Sequence, residues 1–343
     1  MVNLNKSLIK YSTKNLKLAK TESFKAQIIN LLKENNISSP DEFYHWLYES
    51  DYTQDNLITH ILFYGPKVIG FGSIQYFPLN GFRVGSLVNL YIERHHRTLG
   101  PALILEKALL NDSASESACK YFIAKPNTMS DIVFKRLRFT RFGKMKRFTL
   151  IVNPVYYVHI PSWVNNLAGK IFRTFFRFYY FVSLQSARLK QPECSSREAE
   201  FVTDVKSYLE NYSDFHYWRY VESNKAKVQI CRVFETNKAD SFILFHVKDN
   251  VLSIDDIRGG ENECMESLLI HFIYLVIKRY EVRNISLSVF TENEFLSILT
   301  NLGFIERKDS SAQTIYAMNG SLEGEVNRKD LFSHLIFPTN LDF

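Results

Sequence analysis

Cysteine is scarce and unpatterned in this chain. Cys119, Cys194, Cys231 and Cys264 stand apart, with no CxxC and no Cys/His ligand spacing. That excludes a structural zinc site and a disulfide framework, and points to free thiols in a reducing compartment; no metal is expected. Long apolar runs are also missing. No stretch reaches the roughly 18 apolar residues that span a bilayer, and the basic N-terminus (MVNLNKSLIKYSTKNLKLAK) has no continuous apolar core of a secretory signal. The chain therefore reads as cytoplasmic. Basic and aromatic residues interleave in places, but no RNP, helix-turn-helix or zinc pattern accompanies them, which sets nucleic acid aside as a partner.

What is abundant is aromatic surface and a divided charge. Aromatics make up 15% of the 343 residues, which suggests large buried cores and ring-lined clefts. The net charge of +6 conceals an uneven distribution: residues 1–160 hold 21 Lys/Arg against 12 Asp/Glu, residues 161–190 hold five against none, and residues 191–343 hold 16 against 24. A basic first half favours an anionic ligand or surface.

Periodicity orders the chain. Helical spacing over 24–35 and 41–49 precedes strands at 60–64, 68–77 and 84–92, with turns at Gly65-Pro66 and Pro78–Gly81. A polar loop then leads into a helix from Pro101, a strand at 121–125, a helix at 130–139 and a strand at 146–152. Residues 162–184 read as one aromatic helix. The same grammar returns as strand 251–257, glycine loop 258–263, helix 265–280, strand 284–290 and helix 293–304, so an internal duplication is the economical explanation. The expected fold class is α/β with a mixed sheet, in two copies. Domains are expected at 1–160 and 191–343, joined by a linker helix at 161–190.

Residues 87–102 (LVNLYIERHHRTLGPA) carry the chemistry. Alternation on a strand puts Val88, Leu90 and Ile92 on a core face and Asn89, Tyr91 and Glu93 on the other. Immediately afterwards Arg97-Thr98-Leu99-Gly100-Pro101-Ala102 opens a helix, where unpaired N–H groups and the positive end of the helix dipole suit phosphate, and the small residues Gly100 and Ala102 let a ligand come close.

That hexapeptide matches the pattern (Q/R)-x-x-G-x-(G/A), and in its setting the chain resembles the GNAT superfamily of N-acyltransferases, specifically its tandem two-copy members. Leu90-Tyr91-Ile92 resembles the strand end whose backbone pairs with the pantetheine arm. Asn127 stands where a family Asn meets coenzyme A, and Leu137-Arg138-Phe139 and Leu302-Gly303-Phe304 resemble the L-G-F that follows. The resemblance implies acetyl-CoA or another acyl-CoA as co-substrate, held by Leu90, Tyr91, Ile92, Arg97, Thr98, Leu99, Gly100, Ala102 and Asn127. It also implies acyl transfer to an amine of a small molecule or sugar by direct attack, since no Cys or Ser stands in a nucleophile motif.

Three departures accompany it. Pro101 removes one donor, Phe134 stands where many members have an acidic Tyr, and Gly85–Asn89 lacks the strand Glu used as base. Asn89, Tyr91 and Glu93 are the remaining candidates for a proton path. The second copy loses the phosphate signature at RGGENEC, so it is expected to shape the acceptor site or to be structural. Asp214–Tyr220 is similar to a W-R-[YF] segment of tandem GNAT-like bacterial proteins. An acyl carrier protein as donor and a non-catalytic coenzyme A or partner-binding module are the alternatives. Residues 162–182 read as an interdomain helix or, alternatively, a peripheral membrane contact.

Overall fold

The computed structural model describes residues 11–17, 22–79, 82–116, 119–127, 129–157, 162–190, 199–223, 229–233, 241–258, 262–290, 295–308 and 313–319. Asn293, the first residue of the helix expected at 293–304, lies outside these residues, as do residues 259–261 of the 258–263 loop.

The chain divides into two units, with the boundary between Lys144 and Met145 and with Gln313–Asn319 belonging to the first. In chain order the first unit has strands β1 (Tyr11–Asn15), β2 (Leu57–Tyr64), β3 (Lys67–Leu79), β4 (Phe82–Ile92) and β5 (Tyr121–Ala124), then the start of β6 (Thr140–Ile151). The second has β7 (Ala199–Phe201), β8 (Gln229–Val233), β9 (Ser241–Lys248), β10 (Val251–Arg258), β11 (Asn284–Phe290) and β12 (Ile305–Glu306). The last described strand, β13 (Gln313–Asn319), returns to the first unit.

In the first unit β1 to β4 form an antiparallel meander, β4 and β5 are parallel, and β13 is antiparallel to β5. Helix Glu22–Glu34 buries Ile28, Ile29, Leu31 and Leu32, the face that its spacing predicts. It ends where Asn36 takes a left-handed conformation (φ 61°), as asparagine tolerates at a helix C-terminus. The long helix Leu99–Glu116 lays Leu105 and Leu109 over Gly72, where an added Cβ would stand 3.1 Å from Leu109 Cδ1. Its side chains share one core with Ile74, Tyr76, Phe122, Val133 and Phe134.

The second unit repeats this order: β7 to β10 antiparallel, β10 and β11 parallel, and a neighbour on the far side of β11. That neighbour is Met145–Ile151 of β6, in register from Met145↔Phe290 to Ile151↔Asn284. Helix Asn262–Arg279 fills the core with Leu268, Leu269, Phe272, Ile273 and Val276.

Two expectations change here. The domain boundary falls at Lys144 and not at 160, because the pairing of Met145–Ile151 with β11 ties that stretch to the second unit while β13 ties to the first. The helix expected at 161–190 as a linker packs into the second unit: Ser162–Lys190 puts Phe176, Tyr180 and Leu184 into that core. The Tyr180 hydroxyl donates to Leu302 O at 2.7 Å, and Arg173 pairs with Glu281 at 2.8 Å. Among the described residues no helix is long and apolar enough to cross a membrane.

Candidate functional site

The site follows from how β4 ends. Its parallel pairing with β5 runs from Val84↔Tyr121 to Leu87↔Ala124 and stops. Beyond it β4 keeps only its antiparallel partner β3, and there the register jumps from Ser73↔Val88 to Phe71↔Tyr91, so that Asn89 and Leu90 stand together against Gly72. This is a bulge, and Asn89 makes it with a left-handed backbone (φ 59°), which Asn adopts at lower cost than most residues. Glycine is needed opposite: a Cβ at Gly70 would stand 2.7 Å from Tyr91 O.

The bulge also resets which side chains share a face. Directly paired residues of neighbouring strands lie on the same face, so Val88 beside Ser73 and Tyr91 beside Phe71 share one, although strict alternation separates them. The expected set Val88, Leu90, Ile92 therefore splits: Leu90 and Ile92 keep the core and cleft face, and Val88 joins Tyr91.

A cleft of about 230 Å³ opens where β4 leaves β5. Leu90, Ile92, Leu99, Ala102, Ile132 and Val133 give it an apolar wall, and Asn35, Arg97, Thr98, Asn127 and Ser130 its polar rim. Helix Leu99–Glu116 starts at this cleft. Its first-turn N–H groups have no acceptor within the helix, and Pro101 has none to offer. A Cβ at Gly100 would meet nothing within 4 Å, so no packing demand requires glycine there; the space above it is open.

Of the residues singled out in the sequence, Leu90, Ile92, Arg97, Thr98, Leu99, Ala102 and Asn127 come together on this cleft, with Gly100 at the same helix start. Arg97 is held in place, its Nε donating to Ile92 O and its Nη2 to Asn35 Oδ1, both at 2.8 Å. Asn127 uses its amide oxygen to accept from the N–H groups of Met129 and Ser130, which shapes the turn into helix Asp131–Arg136.

Asn89, Tyr91 and Glu93 do not line the cleft. Asn89 is half-buried, and neither its Nδ2 nor its Oδ1 has a partner among the described residues. Tyr91 packs its ring, tilted by 39°, against Phe71 at 5.0 Å, and burial pushes its hydroxyl up to about 12. Glu93 Oε1 pairs with Lys67 Nζ at 2.7 Å. Phe134 is buried and packs edge-on against Phe139 at 5.4 Å, with no proton to give. Sequence reasoning missed Asn35, Met129, Ser130, Ile132 and Val133 as cleft residues. The amphipathic SDIVF stretch held a signal for the last three; Asn35 held none, since only tertiary packing brings the end of the first helix to Arg97. Among the described residues no cluster of His, Cys, Asp and Glu could hold a metal.

No family model matches the chain, and no curated protein does. Solved structures do. A GCN5-related N-acetyltransferase from Kribbella flavida is 11% identical, with 91% of this chain and 72% of that one covered at a TM-score of 0.56. A conserved protein from Enterococcus faecalis V583 designated a probable N-acyltransferase is 8% identical, with 91% and 73% covered at 0.61. At these identities the likeness is one of fold, and the chain has the fold of the GCN5-related N-acetyltransferases. More narrowly, the duplicated order matches a tandem GNAT protein from the clavulanic acid biosynthesis pathway, 10% identical, with 92% of this chain and all of that one covered at a TM-score of 0.50.

Proposed function

We propose that the first unit binds an acyl-CoA, acetyl-CoA foremost, and that the protein transfers the acyl group to an amine of a small molecule or sugar. The observation that carries this reading is the parting of β4 from β5 after Leu87, directly beside the start of helix Leu99–Glu116. The unpaired edge of β4 suits the amides of a pantetheine arm, and the helix start with open space over Gly100 suits a pyrophosphate. The bound thioester supplies an activated acyl carbon. The protein's own part is to hold that carbon against the amine, with backbone N–H groups near Tyr91 and Ile92 polarising the thioester oxygen.

Two observations favour a second reading, a non-catalytic coenzyme A module: Phe134 cannot act as acid, and Glu93 is engaged by Lys67. Isothermal titration with acetyl-CoA tests the shared premise, using Arg97→Glu/Gly100→Trp as the variant. Micromolar binding lost in the variant supports it; no binding to the wild type ends it. Thioester turnover with an amine panel then separates the two readings.

The helix Ser162–Lys190 adds a partner. Leu167, Ile171, Phe175, Phe178 and Val182 recur at three- and four-residue spacing and are exposed, Phe178 to 67%. The helix carries five basic residues and no acidic one. This stripe is proposed to rest on the interface of an anionic membrane.

A further inference from the structure

The second unit holds a cluster of titratable side chains that acyl-CoA binding does not use. β10 is parallel to β11 only over Val251–Ser253, and its pairing with β9 steps from Ile254↔Phe245 to Asp256↔Leu244, which leaves Asp255 as the extra residue of a bulge. Asp255 stands two residues past the last parallel pair, as Asn89 does in the first unit. The position filled there by an amide is filled here by a carboxylate.

Asp255 is 1% exposed, and its Oδ2 lies 2.7 Å from Nδ1 of His246 on β9. Asp256 lies beside it, its Oδ2 3.2 Å from His216 Nε2 and its Oδ1 accepting from the Ile257 N–H. His216, Arg219 and Tyr220 come from the turn Asp214–Glu222, whose second half is π-helical, a rare form that concentrates at functional sites.

What these groups leave unused is the second observation. Arg219 is only 5% exposed, yet among the described residues its Nε and Nη1 have no acceptor. Asp255 Oδ1 and His216 Nδ1 have no partner among the described residues either. Purely structural polar groups at this depth are normally paired, because an orphan loses its hydration and gains nothing. The unmet demands are of two kinds: guanidinium donors on the turn, and a carboxylate acceptor on β10.

A simple anion would meet the donors but add charge next to two buried carboxylates, and a simple cation would meet Asp255 and leave Arg219 unpaired. A zwitterion meets both and leaves the charge of a desolvated site unchanged. We propose that the second unit binds a small amino acid, its carboxylate on Arg219 and its ammonium on Asp255 beside His246. Burial, with the neighbouring Asp256 charge adding to it, holds the Asp255 carboxyl above its ordinary range, a cost that a bound ammonium relieves. The inference goes beyond the acyl-CoA reading: it concerns the other unit and needs no coenzyme A.

The test is calorimetric titration of the full-length protein, free of coenzyme A, with each of the twenty common amino acids, and with acetate and methylamine as half-ligands. At least one amino acid binds saturably, the half-ligands bind at least tenfold more weakly, and binding moves the His246 ring resonances, assigned with His246→Gln. Asp255→Asn and Arg219→Lys each weaken binding at least tenfold, while acetyl-CoA affinity is unchanged. Absence of binding by every amino acid overturns the proposal, as does unaltered affinity in both folded variants or a silent His246. If a variant fails to fold, the half-ligands and the His246 shift in the wild type decide. Acetyl-CoA affinity, measured separately, reports on the first unit either way.

Discussion

Glu106 lies in the middle of helix Leu99–Glu116, 2% exposed, and its Oε2 has no partner among the described residues. Burial raises its carboxyl from 4.5 to about 8, so the group is mostly protonated in the folded protein at neutral pH. Below pH 4.5 both folded and unfolded states hold the proton and nothing is lost. Between 4.5 and 8 the folded state holds more proton than the unfolded one, so stability falls as pH rises through that window. At about 1.4 kcal/mol per unit, the part of the window between pH 5 and 8 costs about 3 kcal/mol. Glu106→Gln removes the proton linkage and keeps the shape. Hydrogen exchange of peptides within 99–116, followed by mass spectrometry at pH 5, 6.5 and 8 after correction for intrinsic rates, reads local stability. The wild type is expected to lose about 3 kcal/mol of protection relative to the variant across that range. Parallel pH profiles for the two proteins would refute the reasoning and mean that a proton or hydrogen bond is supplied to Glu106 by another route.

Asn89→Gly, which keeps the left-handed backbone, is expected to retain acetyl-CoA affinity within about threefold, whereas Asn89→Val costs about 1–2 kcal/mol in strain and loses binding; titration calorimetry checks both. Gly85→Ala sets a Cβ 2.8 Å from the Phe122 ring, and thermal unfolding should show a loss of about 1–3 kcal/mol. Tyr180→Phe leaves Leu302 O without its donor and should cost about 1–3 kcal/mol in urea titration, with acetyl-CoA affinity unchanged. Phe175→Asp combined with Phe178→Asp should abolish sedimentation with anionic liposomes while leaving acetyl-CoA binding intact; sedimentation equal to wild type would remove the membrane contact.

Most elements were legible because their signals are local. Burial of Ile28, Ile29, Leu31 and Leu32, the Pro101 helix start and the strand at 284–290 follow from spacing that tertiary structure did not override. The phosphate side of the site was legible for the same reason, since Arg97 to Ala102 is one continuous segment. The bulge was not. Alternation assumes an unbroken pleat, and nothing within 84–92 announces that two residues oppose Gly72 alone, so alternation puts Val88 on the wrong face. Pairings far apart in sequence were equally silent: Asn35 with Arg97, and β13 with β5, depend on contacts that no local period encodes. The Asp255–His246 pair stayed hidden because a carboxylate in VLSIDDI reads as the solvent side of a strand until the fold shows it at 1% exposure.

The return of β13 to the first unit has a consequence for biosynthesis. Until Gln313–Asn319 has left the ribosome, the outer edge of β5 that pairs with Tyr316–Asn319 is bare. Roughly 190 residues separate the two strands, so at about 5–20 residues per second the edge waits on the order of 10–40 s on the nascent chain. During that interval the growing polypeptide offers an open β-edge to any other strand it meets, and a truncation before residue 313 makes that exposure permanent.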